Sequence, residues 1–152
     1  MSVFVWQARV YWEDTDAGGI VYYANYLRFL ERARTEWLRT RGLIQSVLAM
    51  DPGIVFAVAA VQAQYRRPAR LDDVLVTSCE PLREGAASII FTQRMWRERI
   101  DGELLLTGSV RVVCLDAQTM KPRRLPSVIA NELSVSGAPE CERLDTSGVD
   151  AI

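Results

Sequence analysis

The segment that most restricts the fold is an apolar helix predicted over residues 24–41. Its hydrophobic positions recur at spacings of three and four and form a wide face: Tyr26, Leu27, Phe29, Leu30, Ala33, Trp37 and Leu38. Asn25 is the expected N-cap, although the helix could begin one turn earlier, and Gly42 stands where a left-handed C-terminal stop is expected. Because so apolar a helix must be covered by other elements, we expect the rest of the chain to wrap around it.

Most of the remaining sequence has the composition or the period-two pattern of β-strands. The predicted strands cover residues 3–12, 55–65, 74–80, 88–99 and 103–116. In the second of them, alternate residues are expected to share one face: Val55, Ala57, Ala59, Val61, Ala63 and Tyr65. Residues 83–85 are read as a turn, and Asp101-Gly102 is the strongest short hairpin signal in the chain.

The predicted architecture is α+β, with one long helix wrapped by an antiparallel sheet in a single domain over residues 1–133. A short helix over residues 125–133, entered by Pro126, is expected to close this domain. Residues 134–152 are rich in Ser, Gly, Pro and acidic residues and have no apolar period, so we expect this tail to be disordered.

The composition argues against several classes of partner. With a net charge of -1, the chain of 152 residues gives no reason to expect binding to nucleic acid or to a membrane surface. Its first residues lack a signal-peptide pattern, and no apolar run approaches the roughly 20 residues of a membrane helix, so the cytoplasm is the expected compartment. Cys79, Cys114 and Cys141 are too far apart for a metal motif, and the first two are expected to be buried thiols.

A carboxylate cluster lies in residues 12–26, which read WEDTDAGGIVYYANY. The chain contains no histidine, which excludes Ser-His and Cys-His nucleophile pairs and the usual catalytic zinc sites. An EF-hand is excluded because apolar residues occupy its later ligand positions, and no sugar groove that would favour a glycosidase is apparent. Glu13, Asp14 and Asp16 leave two interpretations open, carboxylate chemistry or the capping of backbone N–H groups in a turn.

The wider stretch over residues 9–26, RVYWEDTDAGGIVYYANY, and its continuation LRFLERARTEWLR closely resemble acyl-CoA thioesterases of the 4-hydroxybenzoyl-CoA thioesterase type. Within that group the chain is most similar to the bacterial branch associated with the Tol-Pal system. The supporting segments, which extend the resemblance over roughly residues 5–133, are YRRPARLDD (65–73), FTQR (91–94), VVCLD (112–116) and MKPRRLP (120–126). The resemblance implies the hot-dog fold, a long central helix wrapped by a curved antiparallel sheet, and assembly into homodimers or homotetramers.

The resemblance also implies a reaction, the hydrolysis of an acyl-CoA to a free acid and coenzyme A without a metal or an organic cofactor. Asp16 matches the catalytic carboxylate, which acts as nucleophile or general base. The backbone N–H of Tyr23 matches the donor that polarises the thioester carbonyl. Many members of the Tol-Pal branch carry histidine at this second position, so the tyrosine removes a side-chain acid or base and leaves the backbone donor.

Further site residues are expected from residue type and position, with Tyr22 and Tyr26 in the core or in a pocket wall, and with each basic residue otherwise an ordinary surface residue. The substrate-binding candidates are Gly19, Tyr22, Tyr26, Arg67, Arg70 and Arg124, where the arginines would meet the phosphates of coenzyme A. The remaining basic candidates near them are Arg66, Lys121 and Arg123. Glu31 is a second candidate for the reacting carboxylate, and otherwise it is expected to pair with Arg28 or Arg34 on the helix surface.

Several alternatives stay open at this level. The chain could be a non-catalytic scaffold dimer that binds acyl-CoA or an acyl carrier protein at the inner face of the envelope. A hot-dog dehydratase is disfavoured because its site uses histidine, which the chain lacks. The acyl group, the carrier, the choice between dimer and tetramer, and a peripheral position at the inner membrane are not decided by the sequence.

Overall fold

In a computed structural model of the chain, the described part runs from residue 3 to residue 133. The helices and strands are β1 Phe4–Arg9, α1 Tyr26–Thr40, α2 Gln45–Met50, β2 Ile54–Tyr65, β3 Val74–Glu84, β4 Ser88–Arg97, β5 Glu103–Asp116 and α3 Ser127–Glu132. Two short 3-10 helices, Trp12–Asp14 and Tyr23–Asn25, lie between β1 and α1. The tail predicted to be disordered lies outside the described residues.

The strands form one antiparallel sheet in the order β1-β3-β4-β5-β2. Hairpins join β3 to β4 and β4 to β5, with Glu84 opposite Ser88 and Arg97 opposite Glu103. β1 pairs with β3 and β2 pairs with β5, so the first two strands in the chain form the two edges of the sheet. A long helix between the edge strands, followed by a meander, confirms the α+β prediction and the hot-dog arrangement that the resemblance implied.

Helix α1 lies at the centre of the hydrophobic core. It buries Tyr26, Phe29, Leu30, Ala33, Trp37 and Leu38, which are six of the seven positions in the predicted apolar face. Leu27 is the member of that face that stays exposed. The Trp37 ring meets the Phe91 ring of β4 edge to face, with 5.6 Å between the ring centroids. Because burying one large apolar side chain stabilises a fold by roughly 1.5–3 kcal/mol, this face accounts for the helix position.

The two ends of α1 test the expected caps. Asn25 is not a side-chain N-cap, because its own backbone is already helical and its Nδ2 donates to the carbonyl oxygen of Asp14 at 3.0 Å. The helical segment instead begins in the 3-10 turn Tyr23–Asn25. The C-terminal stop is confirmed, since Gly42 has a φ of +75° and its N–H donates to the carbonyl oxygen of Arg39 at 3.0 Å.

The prediction that alternate residues of β2 share one face is wrong, because a β-bulge interrupts the strand between Val58 and Ala60. Before the bulge Phe56 and Val58 stand opposite the buried Cys114 and Val112. After it, the core-facing register moves to odd-numbered positions, and Ala63 and Tyr65 pack against the core. The extra residue at the bulge reverses the faces, which a strict period of two cannot predict.

Other element boundaries also differ from the sequence prediction. β1 ends at Arg9 and not at residue 12, and β4 ends at Arg97, so a five-residue connection with Asp101-Gly102 at its end replaces a two-residue hairpin. β3 extends to Glu84, which leaves the turn to residues 85–87. Helix α2 was not predicted, because six residues are too few to display a helical period. The closing helix is confirmed as α3, which begins after Pro126.

Candidate functional site

Asp16 lies in a tight turn between the two 3-10 helices. Its backbone N–H donates to the carbonyl oxygen of Ile20 at 2.9 Å, and its own carbonyl oxygen accepts from the Gly19 N–H at 3.0 Å. The carboxylate is exposed, and its Oδ1 accepts from the Gly18 N–H at 2.8 Å. Gly19 has a φ of +77°, a conformation that favours glycine. The Gly-Gly pair therefore lets the chain reverse while the carboxylate of Asp16 stays accessible.

Asp14 is a buried carboxylate that holds the approach to this turn, at 7% exposure. Its Oδ2 accepts from the Tyr11 N–H at 2.8 Å. Its carbonyl oxygen accepts from the Tyr22 N–H at 3.0 Å and from Asn25. Asp14 thus has the loop-structuring role expected of it, and the neighbouring Glu13 is exposed. The cluster therefore divides into one buried carboxylate that builds the loop, Asp14, and two exposed carboxylates, Glu13 and Asp16.

The connection between β2 and β3 holds both the Asp16 turn and the start of α1. Ala69 accepts from the Val21 N–H at 2.8 Å through its carbonyl oxygen. The Ala69 N–H donates to the hydroxyl of the buried Tyr26 at 2.9 Å. Ile20 and Arg70 form an isolated β-bridge beside these contacts. Tyr26 is thus a structural support of the site, and burial raises the pKa of its hydroxyl.

The start of the helical segment presents backbone donors. Within residues 3–133, the N–H groups of Tyr23 and Ala24 have no hydrogen-bond acceptor. Tyr23 and Tyr22 are both exposed, and their rings meet edge to face at 4.9 Å between centroids. Such unpaired N–H groups carry the positive end of the helix dipole, so they favour an anion or a developing oxyanion.

Sequence reasoning did not identify Tyr65 and Arg97 as parts of this region. The Tyr65 hydroxyl donates to the carbonyl oxygen of Tyr23 at 2.7 Å. Arg97 donates to the carboxylate of Asp73, to Glu103 and to the carbonyl oxygen of Pro68, which fastens the loop that carries Ala69. Tyr65 and Asp73 both lie in the segment YRRPARLDD, so that segment was the available signal, although long-range partners cannot be read from it.

The predicted phosphate-binding arginines do not all converge in one chain. Arg67, Arg70 and Arg124 are exposed, and their side chains have no hydrogen bond or ion pair to any residue between 3 and 133. Arg67 and Arg70 lie in the loop beside the Asp16 turn. Arg124 follows Arg123, whose N–H donates to the carbonyl oxygen of Cys114 near one end of β5. Tyr65 stands opposite Leu106, near the other end of β5. Since a strand rises about 3.3 Å per residue, Cys114 and Leu106 are roughly 25 Å apart along β5, and this length separates the Arg124 end of the strand from the Tyr65 end.

Two of the other three basic candidates form hydrogen bonds through their side chains. Arg66 donates to Gln64 at 2.6 Å, and Arg123 donates to the carbonyl oxygen of Pro52 at 2.9 Å. The side chain of Lys121 is exposed.

Glu31 and Arg34 differ from the expected surface ion pair. Glu31 accepts from the Thr35 hydroxyl at 2.5 Å, and within the described part of the chain it forms no ion pair. Arg34 is buried, and its Nη1 donates to Oε1 of the buried Gln93 at 3.0 Å. Burial lowers the pKa of the Arg34 guanidinium from its ordinary value. The expected pairing of Glu31 with Arg34 is therefore wrong, because Arg34 points into the protein.

Two concave regions lie along α1. A cavity of about 100 Å³ lies between α1, α2 and the sheet, with Arg34, Leu38, Phe56 and Phe91 among its lining residues. A groove of about 580 Å³ runs between β1 and α1 and is lined by Trp6, Asp14 and Glu31 among others. Asp16 lines neither region. In the single chain the Asp16 side chain is exposed to solvent.

The remaining candidate groups can be placed as well. Cys79 and Cys114 are buried as predicted, and burial raises the pKa of the Cys79 thiol to about 12, which makes it a poor nucleophile. From residue 3 to residue 133, no three His, Cys, Asp or Glu side chains are arranged to hold a metal ion. In the same residues, no helix has both the length and the hydropathy needed to cross a membrane.

Comparison with known proteins agrees with the fold. Residues 10–133 match the family described as the thioesterase-like superfamily. The acyl-CoA thioester hydrolase YbgC of Escherichia coli O6:H1 is 45% identical over 131 residues, which are 86% of this chain and 96% of that protein. The acyl-CoA thioesterase YbgC of Haemophilus influenzae is 41% identical over 83% of this chain and 90% of its own length.

A solved structure supports the same assignment. A probable thioesterase of Bartonella henselae superposes with a TM-score of 0.76 at 34% identity, over 82% of this chain and all of that one. Since the family match spans most of the chain and includes the Asp16 turn, the chain belongs to the thioesterase-like superfamily.

Proposed function

We propose that this protein is an acyl-CoA thioesterase whose reacting carboxylate is Asp16. One observation carries the proposal, namely that the Asp16 turn and the start of the helical segment are both bonded to Ala69. In support, the exposed carboxylate of Asp16 and the unpaired N–H groups of Tyr23 and Ala24 belong to the same connection between β1 and α1. A carboxylate and a preorganised oxyanion donor are the two groups that thioester hydrolysis requires.

The leaving group explains why this chemistry does not need histidine. Hydrolysis breaks the C–S bond of the thioester, and the electron pair leaves with the sulfur. Because the conjugate thiol has a pKa of about 8–9, the sulfur can leave as a thiolate and take a proton from water afterwards. An amide nitrogen would have to be protonated in the transition state. A chain without histidine is therefore suited to thioesters and poorly suited to peptide bonds.

Asp16 can act by either of two routes. As a general base it takes a proton from a water whose oxygen bonds to the carbonyl carbon, and the tetrahedral intermediate then expels the thiolate. As a nucleophile its own oxygen attacks the carbon, the thiolate leaves, and water hydrolyses the mixed anhydride to regenerate the carboxylate. In both routes the negative charge develops on the carbonyl oxygen, which the Tyr23 and Ala24 N–H groups would bind. One such donor contributes roughly 3–4 kcal/mol to the transition state.

An oligomer would complete the site. β2 is an edge strand of twelve residues whose segment 54–64 contains no proline and no charged residue, and its middle residues are exposed. Such an edge normally pairs with another strand. If two copies paired through β2 about a two-fold axis, the Tyr65 end of one strand would lie beside the Ile54 end of the other. Arg124 of the second copy would then approach Arg67 and Arg70, and together they could bind the phosphates of coenzyme A.

The substrate is proposed as a class. Both YbgC relatives are named as acting on acyl-CoA thioesters, so we assign this chain an acyl-CoA substrate. An acyl carrier protein is the alternative carrier, with the acyl group attached through the same thioester. Tyr22 and Gly19 would line the acyl entrance, since both adjoin Asp16 and are exposed. A cytoplasmic location stays an expectation from the sequence pattern, whereas a position near the inner membrane and the link with the Tol-Pal system follow only from the resemblance.

A survey of thioesters tests the function. Release of free thiol would be measured for the purified protein with benzoyl-, short-, medium- and long-chain acyl-CoA, and with the preferred acyl group on an acyl carrier protein. We expect turnover of at least one acyl-CoA, and the substrate with the highest kcat/KM would identify the acyl class. Tight binding of acyl-CoA without thiol release on any of them would contradict the proposal and favour the scaffold alternative.

A further inference from the structure

A hydrogen bond from β2 reaches the peptide group that opens the helical segment. The Tyr65 hydroxyl donates to the carbonyl oxygen of Tyr23, with 2.7 Å between the two oxygens. Tyr65 is the last residue of β2, and Tyr23 is the first residue of the 3-10 turn that leads into α1. The two residues are separated by 42 positions in the chain, so this contact is a product of the tertiary fold.

This bond controls the direction of a second group in the same peptide. The carbonyl of Tyr23 and the N–H of Ala24 belong to one planar, trans peptide unit, in which they point in opposite directions. Fixing the carbonyl from one side therefore fixes where the Ala24 N–H points. Within the described chain that N–H has no acceptor. A hydrogen bond to the carbonyl oxygen also polarises the peptide and makes its N–H a stronger donor.

We propose that Tyr65 is a positioning residue, which aligns and polarises the Tyr23–Ala24 peptide so that the Ala24 N–H acts as an oxyanion donor alongside the Tyr23 N–H. The inference rests on the proposed thioesterase function. To that function it adds the Ala24 N–H as a second oxyanion donor, and Tyr65 as the side chain that orients this donor from outside the helix.

The position of Tyr65 is well determined by its own surroundings. Its ring meets the ring of the buried Tyr26 edge to face, with 5.2 Å between centroids. Its backbone stands opposite Leu106 of β5, so the register of the two strands fixes its position in the sheet. Burial also raises the pKa of the Tyr65 hydroxyl above its ordinary value of 10.0. The hydroxyl therefore keeps its proton and remains a donor throughout the neutral range.

The test compares two phenylalanine variants of the full-length protein. Tyr65→Phe removes the hydroxyl and keeps the ring that packs on Tyr26. Tyr11→Phe is the matched control, because Tyr11 is 61% exposed and its hydroxyl has no hydrogen bond to any residue between 3 and 133. For each variant, kcat and KM would be measured on the acyl-CoA that the wild type hydrolyses fastest. The melting temperature, the oligomeric state and the amide ¹⁵N resonance of Ala24 would be recorded as well.

We expect Tyr65→Phe to lower kcat by about 10- to 100-fold while KM changes by less than about threefold, because a misaligned donor acts in the transition state. We also expect the Ala24 amide resonance to shift, with a melting temperature within about 3 °C of the control. A merely structural role would lower the melting temperature and would not separate kcat from KM.

Other results would overturn the inference. A wild-type kcat in Tyr65→Phe, a change confined to KM, or an unchanged Ala24 resonance would each do so while leaving the thioesterase function in place. Absence of turnover in the wild type would instead remove the proposed function, and the role of Tyr65 in it.

Discussion

The backbone N–H of Val21 donates to the carbonyl oxygen of Ala69 at 2.8 Å, and this bond joins two loops that are almost fifty residues apart in the chain. One loop carries Asp16, and the other carries Arg67 and Arg70. Their relative position thus depends on how firmly the second loop is held. Arg97 holds it through Asp73 and the carbonyl oxygen of Pro68.

Arg97→Ala should therefore weaken both the fold and the site. It removes three hydrogen-bonding partners from a side chain that is 22% exposed, and we expect a loss of about 2–3 kcal/mol in the free energy of unfolding. Denaturant titration would measure this loss. Arg94→Ala, on the same strand but exposed, is the control and should change stability by less than about 0.5 kcal/mol. Equal effects of the two variants would disprove the role given to Arg97.

Replacing the two aspartates of the cluster should lower the stability of the protein by different amounts. Asp14→Ala leaves the Tyr11 N–H without its acceptor in a buried place, and it should cost about 1–3 kcal/mol. Asp16→Ala removes an exposed carboxylate and should cost less than about 1 kcal/mol. Thermal unfolding of the two variants compares them. The assignment of roles would be reversed if Asp16→Ala were the less stable protein.

The glycine pair should respond in two different ways. A Cβ on Gly18 would lie 3.1 Å from Oδ1 of Asp16, so Gly18→Ala should displace the carboxylate and lower kcat with little effect on stability. Gly19 has a φ of +77° and no atom near its added Cβ, so Gly19→Ala should cost roughly 1–2 kcal/mol through backbone strain. Gly19→Asn should recover part of this loss, because asparagine tolerates positive φ. Stability and kcat measured on all three would show whether the effects divide in this way.

The buried Cys79 thiol should make the protein less stable in alkaline solution. Its pKa is raised from 9.0 to about 12, so above pH 9 the unfolded chain loses this proton while the folded chain keeps it. The contribution of this thiol to the free energy of unfolding is therefore present in full below pH 9 and declines as the pH rises toward 12. Between pH 9 and 12 this thiol should lower the free energy of unfolding by roughly 1 kcal/mol per pH unit. The dependence on pH should be shallower by that amount in Cys79→Ala. Parallel slopes in the two proteins between pH 9 and 11 would refute this contribution.

The local patterns of the sequence predicted most of the fold. The period of α1 identified its buried face, Gly42 its end, and the alternating segments the strands, because these signals depend only on neighbours in the chain. The bulge after Val58 was not predictable, since one inserted residue reverses the faces of β2 without changing its composition. The register of β2 against β5 decides which face is buried, and that register is a tertiary property.

The candidate site, like the fold, was predictable only where its features depend on neighbours in the chain. Asp16 and Tyr23 lie in the connection that leads into α1, and Ile20 of that connection bridges to Arg70, because these residues belong to two short motifs. The contacts made by Tyr65 and Arg97 were not foreseen, since they join residues that are 42 and 29 positions apart. Arg124 was grouped with Arg67 and Arg70 from residue type alone, and the sheet separates them within one chain.

The role of Asp16 is tested most directly by the kcat of Asp16→Asn on the acyl-CoA that the wild type hydrolyses fastest. The amide keeps the shape of the side chain but can neither accept a proton from water nor attack a carbonyl carbon. We expect a fall in kcat of about 10³-fold or more, with acyl-CoA affinity and melting temperature close to those of the wild type. A folded Asp16→Asn protein that retains the wild-type kcat would contradict the assignment of Asp16 as the reacting carboxylate.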